Sequence, residues 1–331
     1  MSERVTCPEC GTEQRVNRSG TIRKHKAGPV PCTGSGQPVG PARIPRRSAS
    51  GYYLCPVTGR YLKSVTTILK EGSPKRGLTF WAGNIVAKTA MDNLPRLVQA
   101  SMDPEEAQKA YNWLRFAHER HLNEKAGTGS AVHKLIEAKI LGLPVPAELV
   151  ADHTLRPYIA HFEAFVQDWE VEFEASEMVV ANYRDDYAGT LDYIIRSPRI
   201  ARAIGAPDDA LIIGDTKTAG NSLDERTSDG LIKGVYPEAG VQMAAYRAAE
   251  YGWLRDGSRV ELPHTYHIGV VLHLRPDGYR LYPLRCGDDI YQVFLQIKAV
   301  AAFHSGLARN IVGDALTPAP PAQSSEPQEV A

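Results

Sequence analysis

Apolar positions along the chain follow two rhythms. Between residues 178 and 216 they run in short blocks, 178–183, 187–195 and 211–216, whose length and β-branched content predict three strands. Elsewhere apolar residues recur at helical spacing. Val132, Leu135, Ile136 and Ile140 predict a helix starting near Thr128, and further helices are expected over 78–99, 103–125, 152–169, 238–254 and 288–307. Short strands are expected at 52–54 and 61–65. Two more, 265–274 and 279–284, flank Arg275-Pro-Asp-Gly278, whose Pro and Gly favour a hairpin turn. The central order of helix, three strands, helix and strands predicts an α/β fold with a mixed central sheet flanked by helices.

Composition adds boundaries. The chain has 331 residues, 43% of them hydrophobic, enough for a sizeable core. No apolar run reaches the ~18 residues of a membrane-spanning helix, and the N-terminus lacks the apolar stretch of a signal peptide. No membrane partner and a cytoplasmic location are therefore expected. Net charge is zero, but the first 50 residues hold nine Lys or Arg against three Glu. A basic head is compatible with phosphate contact and equally with a solvated, flexible arm. Residues 36–50, rich in Gly, Pro, Ser and Arg, read as a flexible linker between a head (1–35) and a globular domain (51–312). Residues 313–331, rich in Pro, Ala and Ser, read as a disordered tail.

The five cysteines do not form a disulfide framework. Three lie in the head, as Cys7-Pro-Glu-Cys10 and Cys32, with His25 between. Cys-x-x-Cys followed by further Cys and His is the donor set of a tetrahedral zinc site, which stabilises a segment too short to bury a core. Cys7, Cys10, His25 and Cys32 are thus candidate ligands of a small zinc knuckle; the alternative is a pair of reactive thiols in an arm. Cys55 and Cys286 are isolated.

The chemistry concentrates in Tyr187-Ala-Gly-Thr-Leu-Asp192 and in Ile213-Gly-Asp215-Thr-Lys217. Alternate residues of a strand share a face, so Asp215 and Lys217 should point into one space. A carboxylate within a strand's apolar surface is costly unless paired or metal-bound. Asp192 is therefore either an ion-pair partner of Lys217 or a cation ligand beside it. Gly189 invites close approach by another group. His133, in Gly127-Thr-Gly-Ser-Ala-Val-His133, shares a helix face with Glu137 and is either a partly buried histidine or a metal ligand. Gln242 and Tyr246 lie four apart on the next helix and would face the sheet or the site.

Taken together, Gly127-Thr-Gly-Ser-Ala-Val-His133, Gly189-Thr-Leu-Asp192, Asp215-Thr-Lys217 and Gln242-x-x-x-Tyr246 resemble, in order and spacing, the PD-(D/E)XK nuclease superfamily. The match is to its RecB-like exonuclease branch, whose members are frequent in phages and CRISPR systems. Ser64-Val-Thr-Thr-Ile-Leu69 and Leu78-Thr-Phe-Trp-Ala82 also look like this branch's phage members, so the resemblance spans about 51–308. It implies a restriction-endonuclease-like core and a DNA exonuclease acting in recombination, repair or phage replication, with partner proteins of those processes. It further implies that Asp192 and Asp215, with the Thr216 carbonyl and His133, ligate Mg²⁺ or Mn²⁺. Lys217 would position the attacking water, and Gln242 and Tyr246 would brace Lys217 or the DNA strand. Glu137 and Glu177 are second-tier candidates. The chain departs from the branch in two ways: Asp215 stands where Glu is commoner, and the core holds only Cys55 and Cys286, so no iron–sulfur cluster is expected. The alternatives are a zinc-headed DNA-binding module on an inactive nuclease fold and a structure-specific endonuclease.

Overall fold

Strand-forming segments at the centre of the chain meet in one twisted, mixed sheet with helices on both faces. The computed structural model describes residues 4–7, 12–17, 21–27, 30–32, 34–36, 44–45, 47–55, 59–73, 76–145, 147–218, 220, 222–227 and 230–316. Most of the expected linker and tail lies outside the described residues, as does Cys10.

The head forms two small antiparallel ribbons, β1 (Arg4–Thr6) with β2 (Glu13–Arg15) and β3 (Lys26–Ala27) with β4 (Val30–Pro31). The main sheet comprises β5 (Tyr52–Leu54), β6 (Tyr61–Ser64), β7 (Glu172–Asn182), β8 (Tyr187–Arg196), β9 (Ile212–Lys217), β10 (Tyr251–Trp253), β11 (Arg259–Glu261), β12 (Ile268–Arg275) and β13 (Gly278–Arg285). Their order is β11-β10-β7-β8-β9-β12-β13, with β5 joined through β6 to β8. Neighbours are antiparallel except β9 with β12 and β6 with β8. The helices are α1 (Val65–Gly72), α2 (Arg76–Asp92), α3 (Leu94–Ala100), α4 (Pro104–Arg115), α5 (Ala117–Ile140), α6 (Ala147–Ala151), α7 (Arg156–Asp168), α8 (Pro198–Ala203), α9 (Pro237–Arg247) and α10 (Asp288–Ser305). Among the described residues no helix is long and apolar enough to cross a membrane.

Strand periodicity builds a core on each face of the sheet. Ile213 and Val271 pack with Met243 of α9, Phe294 of α10 and Ile68 of α1. Their neighbours Ile212, Val270 and Leu272 pack on the other side with Phe162 and Phe165 of α7 and Val132 and Ile136 of α5. Ser64 opens α1 by accepting the Thr67 amide on its hydroxyl, an N-cap that ends β6 and starts the helix.

Local signals erred at several places: the helices expected over 78–99 and 103–125 are interrupted at Asn93 and at Phe116. Helix α5 runs unbroken from Ala117 to Ile140 through Gly127 and Gly129, where a break was expected. Gly129 has a packing reason to be small, since a Cβ there would lie 3.2 Å from Thr218 Oγ1 just past β9. Helix α9 ends at Arg247; Tyr251 and Trp253, whose spacing prolonged the helical pattern, instead pair with Ala181 and Val179 of β7. β7 begins at Glu172, because Glu-Phe-Glu-Ala alternates by strand period even though it is acidic. The Arg275-Pro-Asp-Gly278 hairpin forms as its sequence dictates.

The centre of the sheet is intolerant of added volume. A Cβ at Gly214 would lie 1.9 Å from Tyr193 Cε2. That ring is buried, stands edge-on to Phe173 at 5.7 Å, and its hydroxyl is 3.3 Å from Thr216 Oγ1, so it has nowhere to go. Gly214→Ala is expected to lose about 1–3 kcal/mol through overpacking, read as a lower urea midpoint at unchanged slope.

Candidate active site

The site forms where two strands part. β8 and β9 pair only through Tyr193↔Gly214, Ile194↔Ile213 and Ile195↔Ile212. Beyond Gly214, β9 continues along β12 to Lys217, while the start of β8 pairs with β6 at Tyr187 and Ala188. Asp192 fills the gap: its Oδ2 accepts the Thr216 amide at 2.7 Å, replacing the ladder bond that the diverging strand no longer supplies. Asp215 and Lys217 share one face of β9, with Lys217 Nζ 2.5 Å from Asp215 Oδ2. Lys217 is therefore given to Asp215 and not to Asp192, the partner that sequence had suggested.

Helix α9 closes the gap from one side. Gln242 Nε2 donates to Asp215 Oδ1 at 3.3 Å and lies 3.4 Å from the Tyr246 hydroxyl. The Tyr246 ring covers Gly189, where a Cβ would fall 2.3 Å from Cε1. The close approach foreseen at Gly189 is thus made by a neighbouring ring. Helix α5 closes the other side with His133, whose Nε2 is 3.2 Å from the Thr216 carbonyl and whose Nδ1 is 3.4 Å from Glu177 Oε1 and 3.7 Å from Asp192 Oδ2.

Glu177 and Glu137 separate here. Glu137 pairs with Arg255 Nη2 at 2.5 Å and contributes nothing to the cluster. Glu177 joins it: its neighbours Ser176 and Met178 pair with Tyr193 and Leu191, which sets Glu177 across from Asp192. Its backbone is left-handed, φ +47°, in the middle of a strand, a conformation that costs a non-glycine residue about 1–3 kcal/mol. Ligand atoms of His133, Glu177 and Asp192 all lie within 4.8 Å of one another.

Charge is unbalanced in this pocket: three carboxylates face one lysine and one imidazole. Burial holds the Asp192 and Asp215 carboxyls above the usual range, Asp215 to about 6, because the pull of Lys217 and His133 does not fully offset desolvation. Burial also works against charge on His133, but Glu177, Asp192 and Asp215 outweigh it and raise the imidazole to about 9. Lys217 likewise stays charged against desolvation because of Asp215 and Asp192. Asp215 Oδ2 is buried without a hydrogen bond of good geometry; Lys217 touches it as a charge contact only. Hard oxygen donors, an imidazole, a backbone carbonyl and an under-satisfied buried carboxylate together fit a divalent cation.

A second cluster sits in the head. Ligand atoms of Cys7, His25 and Cys32 lie within 4.8 Å of one another, and the two sulfurs are 3.8 Å apart. With Zn–S bonds of ~2.3 Å, the edge of a zinc tetrahedron is ~3.8 Å, so the spacing fits. His25 Nδ1 is 2.8 Å from the Arg23 carbonyl, an orientation in which the ring's lone pair sits on Nε2. The ribbons assemble the set: the Cys7 amide donates to the Thr12 carbonyl at 2.9 Å, and the Cys32 amide to the His25 carbonyl at 2.9 Å.

No family model and no curated protein matches the chain. Among solved structures, one described as "Crystal structure of SSO0001" aligns with 17% identity over 53% of this chain and 70% of that chain, at a TM-score of 0.25.

Proposed function

We propose that this chain is a divalent-metal-dependent deoxyribonuclease of the exonuclease type. One observation carries the reading: four side chains from three elements, His133 of α5, Asp192 of β8 and Asp215 and Lys217 of β9, converge at the point where β8 and β9 diverge. They are the residues singled out by the resemblance to the RecB-like branch of the PD-(D/E)XK superfamily. An unbalanced, buried carboxylate cluster with a lysine is a poor way to build a core and a good way to cleave a phosphodiester.

In this reading Asp192, Asp215, Glu177, His133 and the Thr216 carbonyl would hold Mg²⁺ or Mn²⁺, which when bound acidifies a coordinated water and offsets phosphate charge. Lys217 keeps its proton at the Nζ, where it orients the attacking water and faces charge building on the phosphoryl oxygens. Gln242 steadies Asp215, and Tyr246 steadies Gln242. The Thr216 amide favours the ionised form of Asp192 against the burial that opposes it, and aims the carboxylate into the gap. The substrate is DNA, and the setting is recombination, repair or phage replication.

The test is degradation of end-labelled linear and closed circular DNA by wild type and Asp215→Ala, with Mg²⁺, Mn²⁺ or EDTA. Metal-dependent loss of the linear form alone, absent in the variant, is the expected result. Cleavage of the circle would make the enzyme an endonuclease. Binding without cleavage of either would overturn the reading in favour of a zinc-headed binding module.

The head is part of the same proposal: Cys7, His25 and Cys32, with Cys10 as the fourth ligand, hold a structural Zn²⁺. Elemental analysis should find one zinc per chain in the wild type and a loss of most of it in Cys32→Ala. Stoichiometric zinc in that variant would remove the site.

A further inference from the structure

Helices α2, α3 and α4 stand out from the rest of the fold because they have no core of their own. None of their described residues is buried, whereas Phe80 is 79% exposed, Tyr111 58%, and Phe116, where α4 meets α5, 41%. Such a face is built to be covered. Its charges say by what. Arg96 of α3 and Arg120 of α5 both lie over the Trp113 indole of α4, their guanidinium carbons 4.9 and 5.0 Å from the ring centre. Arg115 stacks on Phe116 at 5.3 Å. An arginine held against a ring in this way can still present N–H donors to a phosphate.

The described lysines of α2 and α4 are paired with carboxylates: Lys109 with Glu105 and Glu106, Lys88 with Asp92. None of Arg96, Arg115 and Arg120 makes an ion pair among the described residues. Three guanidiniums held against rings, with no ion pair among the described residues and with exposed aromatic side chains on the same helices, complement a partner with regularly placed anions and flat apolar groups. A polynucleotide strand has both, and its bases can rest on Phe80, Tyr111 and Phe116 while its phosphates meet the arginines. Helix α5 connects this face to the chemistry: Arg120 and His133 lie on the same helix, about 20 Å apart along its axis.

We infer that the α2–α5 arm, centred on the Arg96–Trp113–Arg120 stack, is a docking surface for a single polynucleotide strand leading to the metal centre. This rests on the nuclease reading and extends it to substrate binding. A fluorescent oligothymidylate long enough to span the arm and the site, titrated by anisotropy in Ca²⁺ over a range of salt, is the probe. Arg96→Ala/Arg120→Ala should weaken its binding roughly 100-fold, as expected for two charge-assisted contacts. The slope of log affinity on log salt should fall by about 1.4, the loss of two single-strand phosphate contacts. With Mn²⁺, KM should rise while kcat at saturating strand stays as in wild type.

Arg96→Lys/Arg120→Lys should restore the salt slope but only part of the affinity, since the charge returns without the planar stack. Wild-type affinity in the Ala double variant, with cleavage intact, overturns the docking surface and leaves the nuclease standing. Strand binding lost in the variant, with no hydrolysis by wild type, supports the surface and removes the nuclease. Arginine-dependent binding of phosphatidylserine vesicles or polyglutamate in preference to the strand overturns the assignment to nucleic acid.

Discussion

Lys217→Ala is expected to leave the protein folded and to lower metal-dependent DNA hydrolysis by roughly 10²–10³-fold, the usual effect of deleting one preorganised charge at a developing oxyanion. The side chain sits at the end of β9, where its backbone pairs with His273 of β12 and its Nζ, among the described residues, meets only Asp215 within salt-bridge distance. Truncation therefore opens no apolar cavity and breaks no ladder bond. It does leave Asp215 less compensated, so the apoprotein should lose a little stability near neutral pH while substrate affinity changes little. Single-turnover cleavage measured beside strand binding and thermal melting separates these effects. Activity within a few-fold of wild type, with melting unchanged, would remove Lys217 from the mechanism. A collapse of melting temperature would show that Lys217 serves the fold.

Asp215→Asn is expected to do what few active-site substitutions do: stabilise the apoprotein while destroying its response to metal. The carboxyl is buried and titrates at about 6, against an ordinary value near 3.8. A raised folded-state value means that Asp215 favours folding fully only below about pH 4, and that this advantage is lost as pH rises through about 6. At pH 7.5 the ionised carboxylate therefore costs of order 1–3 kcal/mol, which the amide removes. In EDTA the variant should melt several degrees above wild type, at about 2–4 °C per kcal/mol. Saturating Mn²⁺ should reverse the ranking, since a ligand at a hundred times its Kd adds about 2.7 kcal/mol to a protein that binds it. A variant less stable than wild type in EDTA would show that Asp215 is structural. Equal Mn²⁺ stabilisation of both proteins would place the cation elsewhere.

The left-handed backbone of Glu177 belongs to the same pattern. The strained backbone of Glu177 lies across from Asp192, whose carboxyl, like that of Asp215, burial holds above its usual range. Stability given up at such a place is the ordinary signature of a functional site.

Some of this was readable from residue order alone. The two-residue period of a strand dictates that Asp215 and Lys217 share a face, and their 2.5 Å contact follows from it. Pro276 and Gly278 dictate the β12–β13 turn, and the helical spacing of Val132, Leu135 and Ile136 dictates which side of α5 meets the core. Tertiary structure decided the rest, because period fixes the face of one element and says nothing about which element lies opposite. Only packing could keep Asp192 off Lys217 by giving it the Thr216 amide, bring Glu177 across the sheet to Asp192, and send Glu137, one turn beyond His133, away to Arg255. Only packing could cover Gly189 with Tyr246 and stack Arg96 and Arg120 on Trp113. Most of these contacts join residues from different elements, and their free energy depends on burial and charge that exist only after the elements have come together.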